Sequence, residues 1–141
     1  MVSKIILDAN ILLDIMLLRS ADVDDLKEIY NAVVEGKFKA YTTTSIVHIC
    51  AYWLKQAKSI EAAKMAILAM LNDIKIIDAR HDKIVHALQS DMNDIEDALQ
   101  YYIAMDHQLD CFITKDKKFI KSAKPQLLVY DPATFIKKFM N

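Results

Sequence analysis

The 141 residues, 54% apolar and 26% charged, fit one folded domain spanning 1–141 and are too hydrophobic for a disordered chain. A chain of this size buries roughly 68–70% of its unfolded surface, enough for a core without disulfides, and no apolar run approaches the ~20 residues of a membrane span. The net charge of −1 excludes a molecule that is basic overall, so any nucleic-acid contact rests on a local patch, and the single glycine, Gly36, excludes glycine-rich phosphate loops.

Ile5 to Leu7 reads as a buried strand, too short for the apolar stretch of a secretory signal, so a cytoplasmic location is expected. Asn10 to Leu18 reads as a largely buried helix with Asp14 as its one interior charge. Asp22 to Glu35 is amphipathic, and Gly36 stands where a helix C-cap is expected. A strand, Lys39 to Thr42, follows. Thr44 or Ser45 is expected to cap a helix from Ile46 to Lys55, and Ser59 to open another reaching Leu71, the two forming a helical hairpin.

Lys75 to Ile77 is a short strand and His81 to Gln89 a helix. The polar turn Ser90 to Asn93 leads into a helix from Ile95 to Asp106, whose buried face is read as Ile95, Ala98, Leu99, Tyr102 and Ile103. Cys111 to Thr114 is a continuous apolar strand, Lys117 to Ser122 a short helix or loop, and Leu127 to Tyr130 the last strand. Asp131-Pro132 starts a final helix with Phe135 and Phe139 inward. Cys50 and Cys111 form no CxxC and are expected as core thiols.

Strands alternating with helices imply a mainly parallel sheet covered on both faces, with ligands bound beyond the carboxyl ends of the strands. Asp8 and Asp116 both follow strands, and Asp94 and Asp97 share the first turn of one helix. Each also has a purely structural role open to it: Asp94 and Asp8 as helix N-caps, Asp116 as a turn residue. If the fold brings Asp8, Asp97 and Asp116 within a few ångströms, their repulsion in a shielded site calls for a divalent cation. All-oxygen ligands favour Mg²⁺ or Mn²⁺, and His81 and His86, five apart, lack zinc spacing. Such a site suits phosphate chemistry. Lys115, Lys117, Lys118 and Lys121 stand beside Asp116, either as a solvated face or as contacts to a phosphate backbone. Ser45 and Thr43 can reach the same pocket or serve as caps.

Ile6-Leu-Asp8-Ala-Asn10-Ile-Leu, Asp94-Ile-Glu-Asp97-Ala-Leu-Gln and Ile113-Thr-Lys-Asp116-Lys-Lys-Phe119 together resemble the PIN domain, and Tyr130-Asp-Pro-Ala-Thr-Phe135 is similar to its closing strand and helix. The resemblance implies a three-layer α/β/α, Rossmann-like fold with a mainly parallel sheet of about four to five strands. It also implies cleavage of RNA dependent on Mg²⁺ or Mn²⁺. Many small members, the VapC-like ones, are toxins restrained by an antitoxin. By motif position Asp8, Asp97 and Asp116 match the metal-binding acids, Asp94 an accessory acid and Asn10 a support of the first motif. The family's glutamate after the second strand falls at or beside His48, which is then a changed ligand, a phosphate or base contact, or a partly buried helix residue. That departure sustains an alternative: a catalytically weak binding module acting through a protein partner or a homodimer, with the helix Ile60 to Leu71 as a candidate surface. A haloacid-type phosphatase with Asp8 as nucleophile fits less well, because Asn10 stands where a second aspartate is wanted.

Overall fold

The computed structural model describes residues 2–140. Five short strands, β1 (Lys4–Leu7), β2 (Lys39–Thr42), β3 (Ile74–Ile76), β4 (Cys111–Ile113) and β5 (Leu128–Tyr130), form one all-parallel sheet in the order β3-β2-β1-β4-β5. The register pairs Ile5 with Ala40 on one side and with Cys111 on the other. Ile5, Ile6 and Leu7, like Cys111, Phe112 and Ile113, have no exposed surface. Continuous apolar runs of this kind are what strands covered on both faces require.

Eight helices supply the cover: α1 (Ala9–Leu17), α2 (Val23–Val34), α3 (Thr44–Ala57), α4 (Ile60–Leu71), α5 (His81–Gln89), α6 (Ile95–Asp106), α7 (Lys117–Lys121) and α8 (Pro132–Phe139). α1 packs on α2 and α3, α3 on α4, α2 on α8, and α5 on α6, which completes a three-layer α/β/α fold. Aromatic contacts lock the layers: Phe112 lies 4.7 Å from Phe119, Tyr101 5.8 Å from Phe119, and Phe38 5.2 Å from Phe135. Phe119 is the reason a helix as short as α7 holds its place, because burying a side chain of that size contributes about 1.5–3 kcal/mol. Among the described residues no helix is long and apolar enough to cross a membrane.

The chain winds from β1 outward to β3 on one side, and β4 and β5 lie on the other. The connection therefore reverses between β1 and β4, and in open parallel sheets the crevice outside the strand ends at that reversal is the binding position. Asp110 anchors the opposite edge of this pair, accepting hydrogen bonds from the backbone N–H groups of Ser3 and Lys4, both at 2.9 Å.

Most expected elements form within a residue or two of their expected bounds, and Gly36 takes the positive φ of 82° that a helix C-cap asks for. One expectation narrows and another needs correction. Of the candidates Thr43, Thr44 and Ser45, the cap of α3 is Thr43, whose hydroxyl accepts from the N–H of Ile46 at 3.1 Å. Thr43 has the extended backbone a cap requires, whereas Thr44 already lies within the helix. Ile95 does not join the buried face of α6: it is 65% exposed, and Gln100, Tyr101 and Ala104 are buried instead. Apolar spacing alone mislocated that face, because its inward side includes a polar residue with a partner of its own.

Candidate metal centre

Each candidate acid is placed by a helix start. Asp8 caps α1, with Oδ1 accepting from the N–H of Ala9 at 2.7 Å and Oδ2 from the hydroxyl of Thr114 at 2.7 Å. Asp116 caps α7, with Oδ1 accepting from Lys118 N–H at 2.9 Å and Phe119 N–H at 3.4 Å, and its own N–H donates to the Thr114 hydroxyl at 3.1 Å. The fully buried Thr114 thus ties the acid after β1 to the acid after β4. Asp94 caps α6 by accepting from the N–H of Asp97 at 2.9 Å. The capping roles open to Asp8 and Asp94 are therefore real, Asp116 is a helix cap where a turn residue was expected, and all three caps orient their carboxylates. Asp94 and Asp116 each keep Oδ2 free, while Asp97 alone of the four has neither oxygen engaged among the described residues.

The electrostatics show that these groups share one field. Burial, then the negative charges of Asp94, Asp8, Asp116 and Glu96, push Asp97 up to about 7. Burial also raises Asp8 despite the hydrogen bonds from Thr114 and Ala9, and Asp116 and Asp94 add to the rise. Glu96 is raised by burial and by the same neighbours, Asp94 and Asp8. No cation offsets the charge among these causes. Ionising such a cluster is costly unless a positive ion enters it.

The acids line two adjacent grooves at the reversal of the sheet. Asp8, Asn10 and Asp116 share one of about 470 Å³ with Asp14, Arg19 and Lys115. Asp94 and Asp97 line one of about 500 Å³, which Lys118, Lys121 and Lys124 also border. The approach to within a few ångströms expected from the sequence is not complete: among the described residues no three His, Cys, Asp or Glu side chains are close enough to hold one ion as they stand. Capping directs the carboxylates of Asp8, Asp94 and Asp116 toward N–H groups at three separate helix starts. The donor chemistry still fits a hard divalent cation, because every candidate ligand is a carboxylate oxygen and two of the groups resist losing their protons alone.

The PIN domain model matches residues 4–118. The chain belongs to the PIN domain family. At the family level this is a nuclease fold, and nucleases are hydrolases. No curated protein sequence matches this PIN domain. Among solved structures it is similar to a chain of VapBC2 from Rickettsia felis bound to a DNA fragment from their promoter, at 14% identity and a TM-score of 0.68 over 91% of this chain and 98% of that one. It is similar to Mycobacterium tuberculosis VapC20, a sarcin–ricin loop cleaving toxin, at 13% identity and a TM-score of 0.68 over 87% and 98%. A toxin–antitoxin complex from Klebsiella pneumoniae shares 21% identity and a TM-score of 0.65 over 90% and 96%.

The remaining sequence candidates fall in different places around the centre. Asn10 is exposed and lines the Asp8 groove, and Lys118 lines the Asp97 groove. Lys117 is exposed and lines neither. Lys115 corrects the picture of a free lysine run: its ammonium pairs with Asp14 and, at 3.2 Å, with Asp22. Ser45 and His48 are exposed on α3 and line neither groove, so His48 is not the partly buried helix residue considered above. Both thiols are core residues as expected, and burial pushes Cys50 and Cys111 each to about 12. Sequence reasoning passed over Thr114, Glu96, Arg19 and Lys124. A buried hydroxyl between a strand and an acid was the available signal for Thr114, and a place between Asp94 and Asp97 the signal for Glu96; nothing local marked Arg19 or Lys124.

Proposed function

We propose that this PIN domain is an endoribonuclease dependent on Mg²⁺ or Mn²⁺, the cytoplasmic toxin of a toxin–antitoxin pair. The observation that carries the reading is one groove with Asp94 and Asp97 on its wall and Lys118, Lys121 and Lys124 bordering it, beside the Thr114-linked pair Asp8 and Asp116. Asp8, Asp97 and Asp116 would hold the ion, and the free Oδ2 of Asp94 would orient a ligand or water. The ion would supply Lewis acidity and offset the charge of a phosphodiester. The lysines bind the phosphate backbone as point charges, while Asn10 contacts substrate beside Asp8. The two toxin–antitoxin structures and the sarcin–ricin loop cleaving toxin among the similar folds support both the substrate class and the antitoxin.

The test is cleavage of a labelled, partly structured RNA by purified protein in Mg²⁺ and in Mn²⁺, with EDTA and Asp97→Asn as controls. Metal-dependent cleavage that falls by at least roughly 10²–10³-fold in the variant is expected, with the fold intact by circular dichroism. Full cleavage by Asp97→Asn sinks the assignment.

A second reading, a catalytically weak binding module, draws on the incomplete approach of the acids and on exposed His48 at the place of the family glutamate. The α3–α4 hairpin exposes Tyr52, Trp53, Met65 and Leu68, a surface for an antitoxin or a second copy. No cleavage in either metal by a folded protein favours this reading. A monomer at high micromolar concentration in sedimentation counts against the homodimer.

A further inference from the structure

The Asp97 groove does not end at α7. Lys124, on the turn that follows, borders it on one side and on the other borders a second cavity of about 380 Å³ between α5 and α6. Lys83 and His86 of α5, Tyr102 and Asp106 of α6, and Gln126 line that cavity. The His86 ring lies 5.1 Å from the Tyr102 ring, at an interplanar angle of 56°. Tyr102 is 8% exposed and forms a fixed floor, and His86 stands exposed beside it.

The junction itself is rigid. The fully buried Tyr101 hydroxyl accepts from the N–H of Lys124 at 2.7 Å and lies 2.9 Å from the Leu127 carbonyl, to which it donates. The Lys124 ammonium pairs with Asp91 at 2.9 Å, but Asp91 is 84% exposed. Exposed pairs of that kind contribute little, so a phosphate can replace the carboxylate at small cost.

We infer that the cavity between α5 and α6 is the seat of a flanking nucleotide of single-stranded RNA, displaced from the metal centre along α6 and reached past Lys124. This rests on the endoribonuclease reading for its substrate and adds to it a specificity-determining subsite. The chemistry on the page favours RNA over a protein segment. Aromatic faces stack on any base, flanking ammonium groups hold its phosphates, and sequence-tolerant single-strand binding uses that combination. Gln126 supplies a donor and an acceptor for the edge of the base, and Asp106, whose Oδ1 lies 3.5 Å from Arg80 and 3.9 Å from Lys83, keeps Oδ2 as a further acceptor. Tyr102 follows Asp97 by five residues on α6, an axial rise of about 7.5 Å, so the subsite is separate from the carboxylates yet continuous with their groove.

The experiment measures binding, which needs no turnover. Wild type, His86→Ala and His86→Phe are titrated, in buffer containing Ca²⁺, against labelled single-stranded RNA oligonucleotides shortened one nucleotide at a time from either end. Wild type is expected to lose affinity abruptly when one particular terminal nucleotide is removed. His86→Ala should bind the longer oligonucleotides about tenfold more weakly and the shortened ones as wild type does, and His86→Phe should restore most of the loss. Equal affinity of wild type and His86→Ala for every oligonucleotide overturns the subsite, as does a loss independent of length. RNA bound with this pattern but left uncut in Mg²⁺ and Mn²⁺ supports the subsite while removing the nuclease reading. No RNA binding by wild type overturns both.

Discussion

Two clusters of acids lie a few residues apart around the same strand ends, and they are built on opposite principles. Asp14, on α1, is 7% exposed and compensated: Arg19 Nε lies 2.6 Å from Oδ1, and the Lys115 ammonium holds Oδ2 while also reaching Asp22. Asp97, in the first turn of α6, is partly buried, has no cation paired with it among the described residues and has four other acids nearby, Asp94, Asp8, Asp116 and Glu96, and its carboxyl is pushed up to about 7. The first cluster carries its own counter-ions and fastens the loop that bears Asp116. The second is left electrostatically incomplete, which supports the ion site proposed above.

The largest effect should come from breaking the compensated cluster. Asp14→Ala removes two charge-assisted hydrogen bonds, while the partly exposed Arg19 and Lys115 reach solvent and Lys115 keeps Asp22, and should cost about 3 kcal/mol, read from urea unfolding. A loss within error of zero would mean that the pairs are worth no more than surface ones. Next is the incomplete cluster: Mn²⁺ at a hundredfold excess over its dissociation constant should stabilise wild type by about 2.7 kcal/mol. Asp97→Asn should lose most of that gain, and an equal gain in the variant would place the ion elsewhere.

Asp110 supplies a third arrangement, an acid satisfied by N–H groups in place of cations. Partial burial opposes its charge, but the hydrogen bonds from Ser3 and Lys4 outweigh that and hold its carboxyl below the usual range. Asp110→Ala should cost about 1 kcal/mol at neutral pH. Because the folded-state pKa is depressed, that contribution is complete above the unfolded value of about 3.9 and disappears as pH falls through the folded one. A wild-type advantage over Asp110→Ala that persists unchanged to the acid limit would contradict this origin.

The last effect has the opposite sign. A carboxyl raised in the folded state binds its proton more tightly there, so its penalty is absent below the unfolded pKa of about 3.9 and complete above about 7. In EDTA, Asp97→Asn should therefore melt higher than wild type at pH 8, with the difference shrinking toward pH 4. A variant that melts lower across that range would show that Asp97 is held by partners, as Asp14 is.

Much of this molecule was legible in the residue order because it depends on local chemistry. The apolar runs Ile5 to Leu7 and Cys111 to Ile113, the caps Ser59 and Asp131, and Gly36 after α2 set the elements with few errors. Their alternation set the parallel sheet, and three acidic motifs pointed to the PIN fold. What tertiary structure decided was partnership, since a charge acquires its role from groups distant in sequence. Lys115 stands in the same basic run as Lys118, yet pairing with Asp14, 101 residues away, removes it from the free lysines. Gln100 is buried on α6 because the Thr43 hydroxyl donates to its Oε1 at 2.6 Å, which no periodicity could reveal. Spacing along the chain identified the acids; only the packing of β1 against β4 through Thr114 determined which of them share a field and which already have a counter-ion.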